Sequence, residues 1–167
     1  MALAIEQVLA ALEAERVRYP VVGGVAVVLH GHLRTTADLD LVVKLDPENA
    51  RQAIAALTRL GYRPRAPVAA EAFADPASRA AWKAEKGLTV FSLWSDRLPS
   101  LEVDLFVEEP FAFDEVYARA VRVPLDSVTV TVVSVEDLVA LKRASGRPID
   151  LADVDALRAI EDARDER

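Results

Sequence analysis

The sequence contains no cysteine and only two histidines among 167 residues. The lack of cysteine excludes disulfide bonds and cysteine-ligated zinc. No stretch reaches about 18 uninterrupted apolar residues, so we expect no membrane span. The segment MALAIEQVLAALEAER carries acids where a targeting segment would carry bases, and its apolar residues are spaced as on one helix face. We therefore expect a cytoplasmic protein without a membrane partner.

Positive charge is also in short supply, with 20 Lys and Arg against 27 Asp and Glu, which gives a net charge of −7. A large non-specific nucleic-acid surface needs a basic face, and this balance argues against one. The net charge does not exclude a local basic groove, which could be formed by Arg63, Arg65, Lys83 and Lys86. Scattered surface bases are the more ordinary interpretation. The composition, 52% hydrophobic and 28% charged, is that of a globular protein with a sizeable core.

The order of helices and strands can be read from apolar spacing and from helix-end residues. A helix is predicted over residues 2–17, and another from Asp46 and Pro47 to Gly61. Residues 64–86 are predicted to be a loop with one helical piece. The predicted strands are YPVV, DLDLVVKL, LTVFSLW, LEVDLFV and DSVTVTVV. A short helix is expected after the glycine pair, and SVEDLVALKRASG and IDLADVDALRAIEDAR are predicted to be the last two helices.

The predicted strands come in pairs and also alternate with helices. This arrangement favours an α+β fold with a mixed β-sheet flanked by helices over a doubly wound parallel sheet. We expect a single domain over residues 1–167, with a core at about 18–133 and C-terminal helices at about 135–163.

Two acids, Asp38 and Asp40, interrupt an apolar strand. Residues i and i+2 of a strand point to the same face, so the two carboxylates project together while the leucines between them face the core. Asp104 stands alone among apolar residues of a later strand. A solvent-facing strand of alternating polarity is the plainer alternative. However, carboxylates side by side repel each other unless a positive group lies between them, and three of them form the oxygen site that magnesium prefers.

A glycine pair, Gly23 and Gly24, stands 14 residues before the acids, at the expected start of a helix. Backbone N–H groups at a helix start form an anion site, although a glycine pair can also simply make a tight turn. With the acids, this site could hold a metal and a triphosphate. His30 and His32 have no further histidine or cysteine to complete a metal site, and we expect them to pack at a helix end.

The segment GGVAVVLHGHLRTTADLDLVV resembles the signature of the minimal nucleotidyltransferases of the DNA polymerase β superfamily. That signature is Gly-Gly or Gly-Ser, then Asp-x-Asp, then a third acid on a later strand. The run from Arg34 through Thr36 to Asp40 and the tail LKRASGRPIDLADVDAL are most similar to the AbiEii-like branch, which includes toxins of bacterial toxin–antitoxin systems. Gly24 occupies the position where a serine is frequent in the superfamily.

The resemblance implies a polymerase-β-like fold and a role for each matching residue. Asp38, Asp40 and Asp104 are implied to be the catalytic acids and to hold two Mg²⁺ (or Mn²⁺) ions. The residues implied to bind the nucleotide are Gly23, Gly24, Arg34, Thr36, Lys142 and Asp150. Within this set, Lys142 would neutralise phosphates and Asp150 would orient Lys142 or the acceptor; Asp153 also matches the tail motif. From the residues alone, Arg34 could equally form a salt bridge to the acids, and Thr36 could simply begin the strand.

The implied activity is metal-dependent transfer of a nucleoside monophosphate from a nucleoside triphosphate to a hydroxyl. Two metal ions about 3.5–4 Å apart can clamp the attacking and leaving oxygens of an in-line displacement. The acceptor is expected to be a tRNA end or a protein, with an antitoxin as a further partner if the protein is a toxin. The alternatives are a small-molecule nucleotidyltransferase of the antibiotic-modifying type, or a catalytically inactive binding module of the same fold.

Overall fold

A computed structural model describes residues 1–166 of the chain. It contains seven α-helices and a short 3₁₀ helix at Ala70–Ala74. The α-helices are α1 (Ala2–Ala14), α2 (Gly23–Leu29), α3 (Pro47–Arg59), α4 (Pro76–Lys86), α5 (Phe113–Ala118), α6 (Val135–Ser145) and α7 (Pro148–Asp165). The strands are β1 (Val21–Val22), β2 (Asp38–Leu41), β3 (Arg63–Pro64), β4 (Val90–Trp94), β5 (Glu102–Phe106), β6 (Val121–Pro124) and β7 (Thr129–Val132).

The strands form one mixed sheet in the order β3-β4-β5-β2-β1-β7-β6. β2 runs parallel to β5 and β1 parallel to β7, while the other neighbours are antiparallel. The predicted α+β class with a mixed sheet flanked by helices is confirmed. The crossover from β2 to β5 matters most for the site, because it sets two strands side by side that are about 60 residues apart in the chain.

Several predicted helix ends are also confirmed. Asp46 caps α3 by accepting from the backbone N–H of Asn49 at 3.0 Å. Ser134 caps α6 by accepting from the N–H of Asp137 at 3.2 Å. Gly146 ends α6 with φ of +66°, in the left-handed region that glycine adopts without steric cost. These local interactions explain why the helices begin and end near the predicted positions.

The segment 64–86 holds more helix than was predicted. The 3₁₀ helix and α4 both lie within it, where only one helical piece was expected. Asp75 caps α4 through the N–H groups of Ala77 and Ser78, and Pro76 occupies its first position, which repeats the signature at the start of α3. The sequence analysis also missed β6, an edge strand that pairs only with β7 and is largely exposed.

The core fixes which face of the sheet is polar. Leu39 and Leu41 on β2, and Val103 and Leu105 on β5, are fully buried. Because side chains alternate along a strand, the residues between them must project to the opposite face. Within residues 1–166, no helix is long and apolar enough to cross a bilayer.

Candidate active site

Carboxylates from β2 and β5 share one face of the sheet. Asp40 lies opposite Asp104, and Asp38 lies opposite Glu102, in the parallel pairing of the two strands. All four are partly exposed, whereas the residues between them are buried. The sheet therefore brings the three predicted acids to neighbouring positions, and it adds Glu102 as a fourth.

Burial and the nearby carboxylates of Asp104 and Asp38 raise the pKa of Asp40 to about 7. Lys142 and Arg147 act in the opposite direction but only offset part of this effect. The charged form of Asp40 is therefore the most destabilised of this group. A cation bound beside Asp40 would stabilise that charged form.

Asp104 has a similar environment. Burial raises its pKa, the hydroxyl of Ser92 opposes that rise, and the charges of Asp38 and Glu102 add to it. One carboxylate oxygen of Asp104, Oδ1, is buried without any hydrogen-bond partner. A buried acceptor without a donor is costly, so this oxygen is suited to receive a ligand or a cation.

The carboxylates of this face meet some of the requirements of a site for a hard divalent cation such as Mg²⁺. Within the part of the chain that the structure describes, no group of three or more His, Cys, Asp or Glu residues closes around a common point as a metal site does. Asp40 and Asp104 nevertheless offer adjacent, uncompensated carboxylates, and Mg²⁺ commonly binds through one or two carboxylates while keeping several waters. Convergence of all three acids on one ion stays a prediction.

The glycine pair is required by close contacts at the start of α2. Gly23 has φ of +66°, and a Cβ on it would overlap Oδ2 of Asp40. A Cβ on Gly24 would lie 2.7 Å from Oγ1 of Thr36 and 2.8 Å from Nη2 of Arg34. The left-handed backbone makes a side chain at Gly23 strained, and a side chain at Gly24 would require Thr36 and Arg34 to shift. The backbone of Gly23 lies directly against Asp40, and a phosphate contact of the pair stays a prediction.

The loop before β2 is tied to the C-terminal helix α7. Nη2 of Arg34 donates to Oδ2 of Asp153 at 3.1 Å, and its Nε lies 2.9 Å from Oδ1. Arg34 thus pairs with Asp153, and not with Asp38 or Asp40, which were the partners considered from the sequence. Thr36 donates to the backbone carbonyl of Asp38 at 3.3 Å and so supports the start of β2. A contact of either residue with phosphate stays a prediction.

Lys142 lies in a buried ion-pair network rather than on the surface. Its Nζ lies 2.8 Å from a carboxylate oxygen of Asp150 and 2.8 Å from one of Asp153, with exposures of 5%, 1% and 2% for the three side chains. Asp150 also accepts from Ser145 and Arg147, each at 2.7 Å. Burial alone would raise the pKa of Asp150, but these donors together hold it below its usual value. Asp150 therefore pairs with Lys142, and its predicted role in orienting Lys142 for a nucleotide stays a prediction.

Three residues of this region were not assigned roles from the sequence. Asp153 bridges Lys142 and Arg34; its spacing of three from Asp150 places both acids on one helix face, which was a usable signal. Ser92 pairs with Asp104 across β4 and β5, and it is the one hydroxyl on an otherwise apolar strand. Arg147 gave no such signal, since it lies in the turn before α7.

The predicted packing role of one histidine is confirmed. His30 is buried at the end of α2, and its Nε2 lies 2.8 Å from the carbonyl oxygen of Val133. Burial lowers its pKa.

Residues 3–163 match the model of a family described as nucleotidyltransferases of unknown function, DUF6036. The chain belongs to this family.

No curated protein sequence matches this nucleotidyltransferase, but solved structures share its fold. The lincosamide antibiotic adenylyltransferase LnuA, solved with lincomycin bound, has a TM-score of 0.63 and 18% identity over 94% of this chain and 96% of its own. ANT(2″)-Ia, solved with adenylyl-2″-tobramycin, has a TM-score of 0.56 and 15% identity over 97% and 95%.

The family match supports an enzyme of the nucleotidyltransferase superfamily, and the two solved structures show that the chain shares their fold. The comparisons do not test the resemblance to the AbiEii-like toxins. They assign the chain to the DUF6036 family of nucleotidyltransferases and to no narrower group.

Replacing Asp40 by Asn should stabilise the metal-free nucleotidyltransferase at high pH. The carboxyl ionises near 3.8 when unfolded and near 7 when folded, so the folded state binds the proton more tightly. Its contribution to stability is fully present below about pH 4 and is lost as the pH rises through about 7. In EDTA at pH 8, we expect the free energy of unfolding of Asp40→Asn to exceed that of the wild type by up to about 4 kcal/mol, and at pH 4 to be equal.

Urea unfolding at both pH values measures this difference. The exposed carboxylate variant Asp155→Asn is the matched control and should show no such pH dependence. Equal stability of Asp40→Asn and wild type at pH 8 would mean that Lys142 and Arg147 already compensate the charge of Asp40.

Replacing Lys142 by Ala should destabilise the protein by about 3–5 kcal/mol, because it leaves the carboxylates of Asp150 and Asp153 buried without their shared cation. The adjacent exposed variant Arg143→Ala should change stability by less than about 0.5 kcal/mol. Urea unfolding at pH 7 compares the two. The double variant Lys142→Ala/Asp153→Asn should recover part of the loss, and a mild effect of Lys142→Ala would show that the network does not depend on this cation.

Proposed function

We propose that the protein transfers a nucleoside monophosphate from a nucleoside triphosphate to a hydroxyl acceptor, with Mg²⁺ or Mn²⁺ as cofactor. The observation that carries this proposal is the pair Asp40 and Asp104, adjacent across β2 and β5 and beside the Gly23 backbone. The family match and the two adenylyltransferases of the same fold support the reaction type. Since the donor and the ion are cytoplasmic solutes, the cytoplasm is the proposed site of action.

In this scheme the backbone at Gly23 and Gly24 receives the triphosphate, and Asp38, Asp40 and Asp104 hold the cation. A bound divalent cation supplies charge neutralisation at the phosphates and at the leaving group. The acceptor oxygen forms a bond to the α-phosphorus, the bond from that phosphorus to the β-phosphate bridging oxygen breaks, and pyrophosphate leaves with the electron pair. The acceptor proton passes to the carboxylate of Asp104, which lies beside the reacting phosphate in this scheme.

In the proposal, Lys142 acts on the acids of β2 and β5 through its charge and does not contact them directly. Its ammonium is held by Asp150 and Asp153, and it lowers the pKa of Asp40 through space. Asp150 positions Lys142, and Asp153 positions Arg34 next to Gly24 and Thr36. Lys142 and Arg34 thereby add positive potential on the side of the acids where the triphosphate would bind.

The acceptor has two candidate classes. A small hydroxylated molecule is one, and the chain spans 95–96% of the length of two enzymes whose structures hold lincomycin and adenylyl-tobramycin. A tRNA end or a protein hydroxyl, modified by a toxin, is the other. The ion pairs from Arg34 and Lys142 to α7 favour this second class. They connect the loop before β2 to the C-terminal tail, and these are the two segments that resemble the AbiEii-like toxins.

Replacing Asp104 by Asn should lower transfer by about 100-fold or more, because outer-shell partners of metals alone are worth about 10–100-fold and Asp104 would contact the ion directly. The assay incubates each α-labelled triphosphate and Mg²⁺ with RNA, cell extract, lincomycin or tobramycin, and follows where the label is transferred. Glu108→Gln, an exposed acid just after β5, is the control and should retain wild-type transfer. Calorimetry should also show triphosphate binding that EDTA abolishes; binding that is equally tight without metal would contradict the proposed cofactor.

Expression in a bacterial host tests the toxin form of the proposal. If the protein modifies RNA or protein in that host, induction should arrest growth, and Asp40→Asn should relieve the arrest at equal protein level. Normal growth with active wild-type enzyme in the extract would favour the small-molecule acceptor.

A further inference from the structure

One aromatic ring and two guanidinium groups form a cluster near one edge of the sheet. Arg63 of β3 lies opposite Trp94 of β4, with its Cζ 4.1 Å from the centroid of the Trp94 ring. The Cζ of Arg65 lies 5.3 Å from the same centroid. Trp94 is half-buried, and the arginine side chains are 56% and 54% exposed. We call Arg63, Arg65 and Trp94 the Trp94 platform.

The Trp94 platform lies on the face of the sheet that carries the acids. Ser92 pairs directly with Asp104, and Trp94 is two residues further along the same strand, so both side chains point to that face. The guanidinium of Arg65 reaches across β4 and pairs with Glu102. Neighbouring strands are about 4.8 Å apart, so the platform begins one strand beyond Asp104.

The platform and the glycine pair lie on opposite sides of the acids. Gly23 contacts Asp40 from the β1 side, and the sheet then continues through β2 and β5 to the platform on β4 and β3. If the triphosphate binds at Gly23, its reacting phosphate lies over Asp40 and Asp104. The platform is then on the side from which an acceptor must approach for in-line attack.

The four bases noted in the sequence do not form one groove. Arg63 and Arg65 meet at Trp94, whereas Lys83 pairs with Glu108 at 2.6 Å. Lys83 belongs to α4, which covers the opposite, buried face of the sheet. Only the arginine pair therefore faces the acids together with an aromatic ring.

The chemistry of the platform selects a planar ligand. Aromatic rings and guanidinium planes both stack on nucleobases, and arginine also binds phosphate through paired N–H groups. The ion pairs of Arg63 with Asp96 and of Arg65 with Glu102 are exposed and therefore weak, so an incoming ligand can replace them. Two guanidinium groups disfavour a polycationic amino sugar at this position.

We propose that the Trp94 platform stacks the base of a nucleotide whose ribose hydroxyl is the acceptor. The proposal rests on the proposed function, and it adds the chemical class of the acceptor and the residues that select it. The nucleotide can be free or can be the terminus of an RNA strand, because both present the same base and hydroxyl.

Fluorescence of Trp94 tests this assignment without requiring transfer. The chain has two tryptophans, and Trp82 stacks on Phe91 at 5.0 Å in the core, so Trp82→Phe leaves Trp94 as the sole indole while keeping an aromatic ring there. We expect AMP, or a 12-residue single-stranded RNA, to quench this emission, and tobramycin not to. Quenching by AMP would identify a free nucleotide as a sufficient acceptor, and quenching by RNA alone would identify a strand end.

Affinity and transfer are then compared in Trp94→Ala and Arg65→Ala. Calorimetry should show about 10-fold weaker binding of the quenching ligand to each, and transfer to that ligand should fall by a similar factor through its KM. Binding of the metal–triphosphate should be unchanged. Arg59→Ala removes a guanidinium of similar exposure at the end of α3, where it pairs with Glu15 and not with Trp94, and should behave as wild type.

Three results would overturn the assignment of the platform. They are no quenching by AMP or RNA, quenching by the metal–triphosphate alone, and unchanged affinity in Trp94→Ala when its melting temperature matches the wild type. The proposed function fails differently, by loss of metal-dependent triphosphate binding, and this result is independent of Trp94.

Discussion

The repulsion between Asp40 and Asp104 is the constraint around which the polar face of this protein is organised. Parallel pairing of β2 and β5 places the two carboxylates opposite each other, and the buried residues on both strands prevent either from turning to the other face. Among residues 1–166, neither carboxylate forms an ion pair, and one oxygen of Asp104 has no donor. A fold that keeps such an arrangement carries a local cost, which a bound cation would remove.

Lys142 and Arg147, whose charges act on Asp40, are held by Asp150 and not by the acids of β2 and β5. Asp150 and Asp153 fix Lys142, and Asp153 also fixes Arg34, so that the last helix is connected to the loop that leads into β2. This arrangement supplies positive potential without neutralising the acids by direct contact. Gly23 keeps the backbone close to Asp40. The C-terminal helices and the turn between them thus supply Lys142 and Arg147, whose charges lower the pKa of Asp40.

Local signals were sufficient for much of the fold. Helix caps at Asp46 and Ser134, the helix stop at Gly146 and the alternation around Asp38 and Asp40 are governed by residues within four positions of each other, and they appear where expected. The short elements β3, the 3₁₀ helix, α5 and β6 were not predicted, since each spans only two to six residues and offers too few positions to establish an apolar period. Their backbone conformations are set by partners elsewhere in the chain.

The sequence by itself determined that Asp38 and Asp40 share a face, that a glycine pair precedes them and that the sheet is mixed, because strand alternation and turn chemistry are local properties. Only the tertiary structure decided that Asp104 lies opposite Asp40, that Arg34 pairs with Asp153 and not with the acids, and that Arg63 and Arg65 meet at Trp94. Each of these contacts depends on strand order and helix docking. Both follow from burying apolar surface across the whole chain, which no short segment specifies.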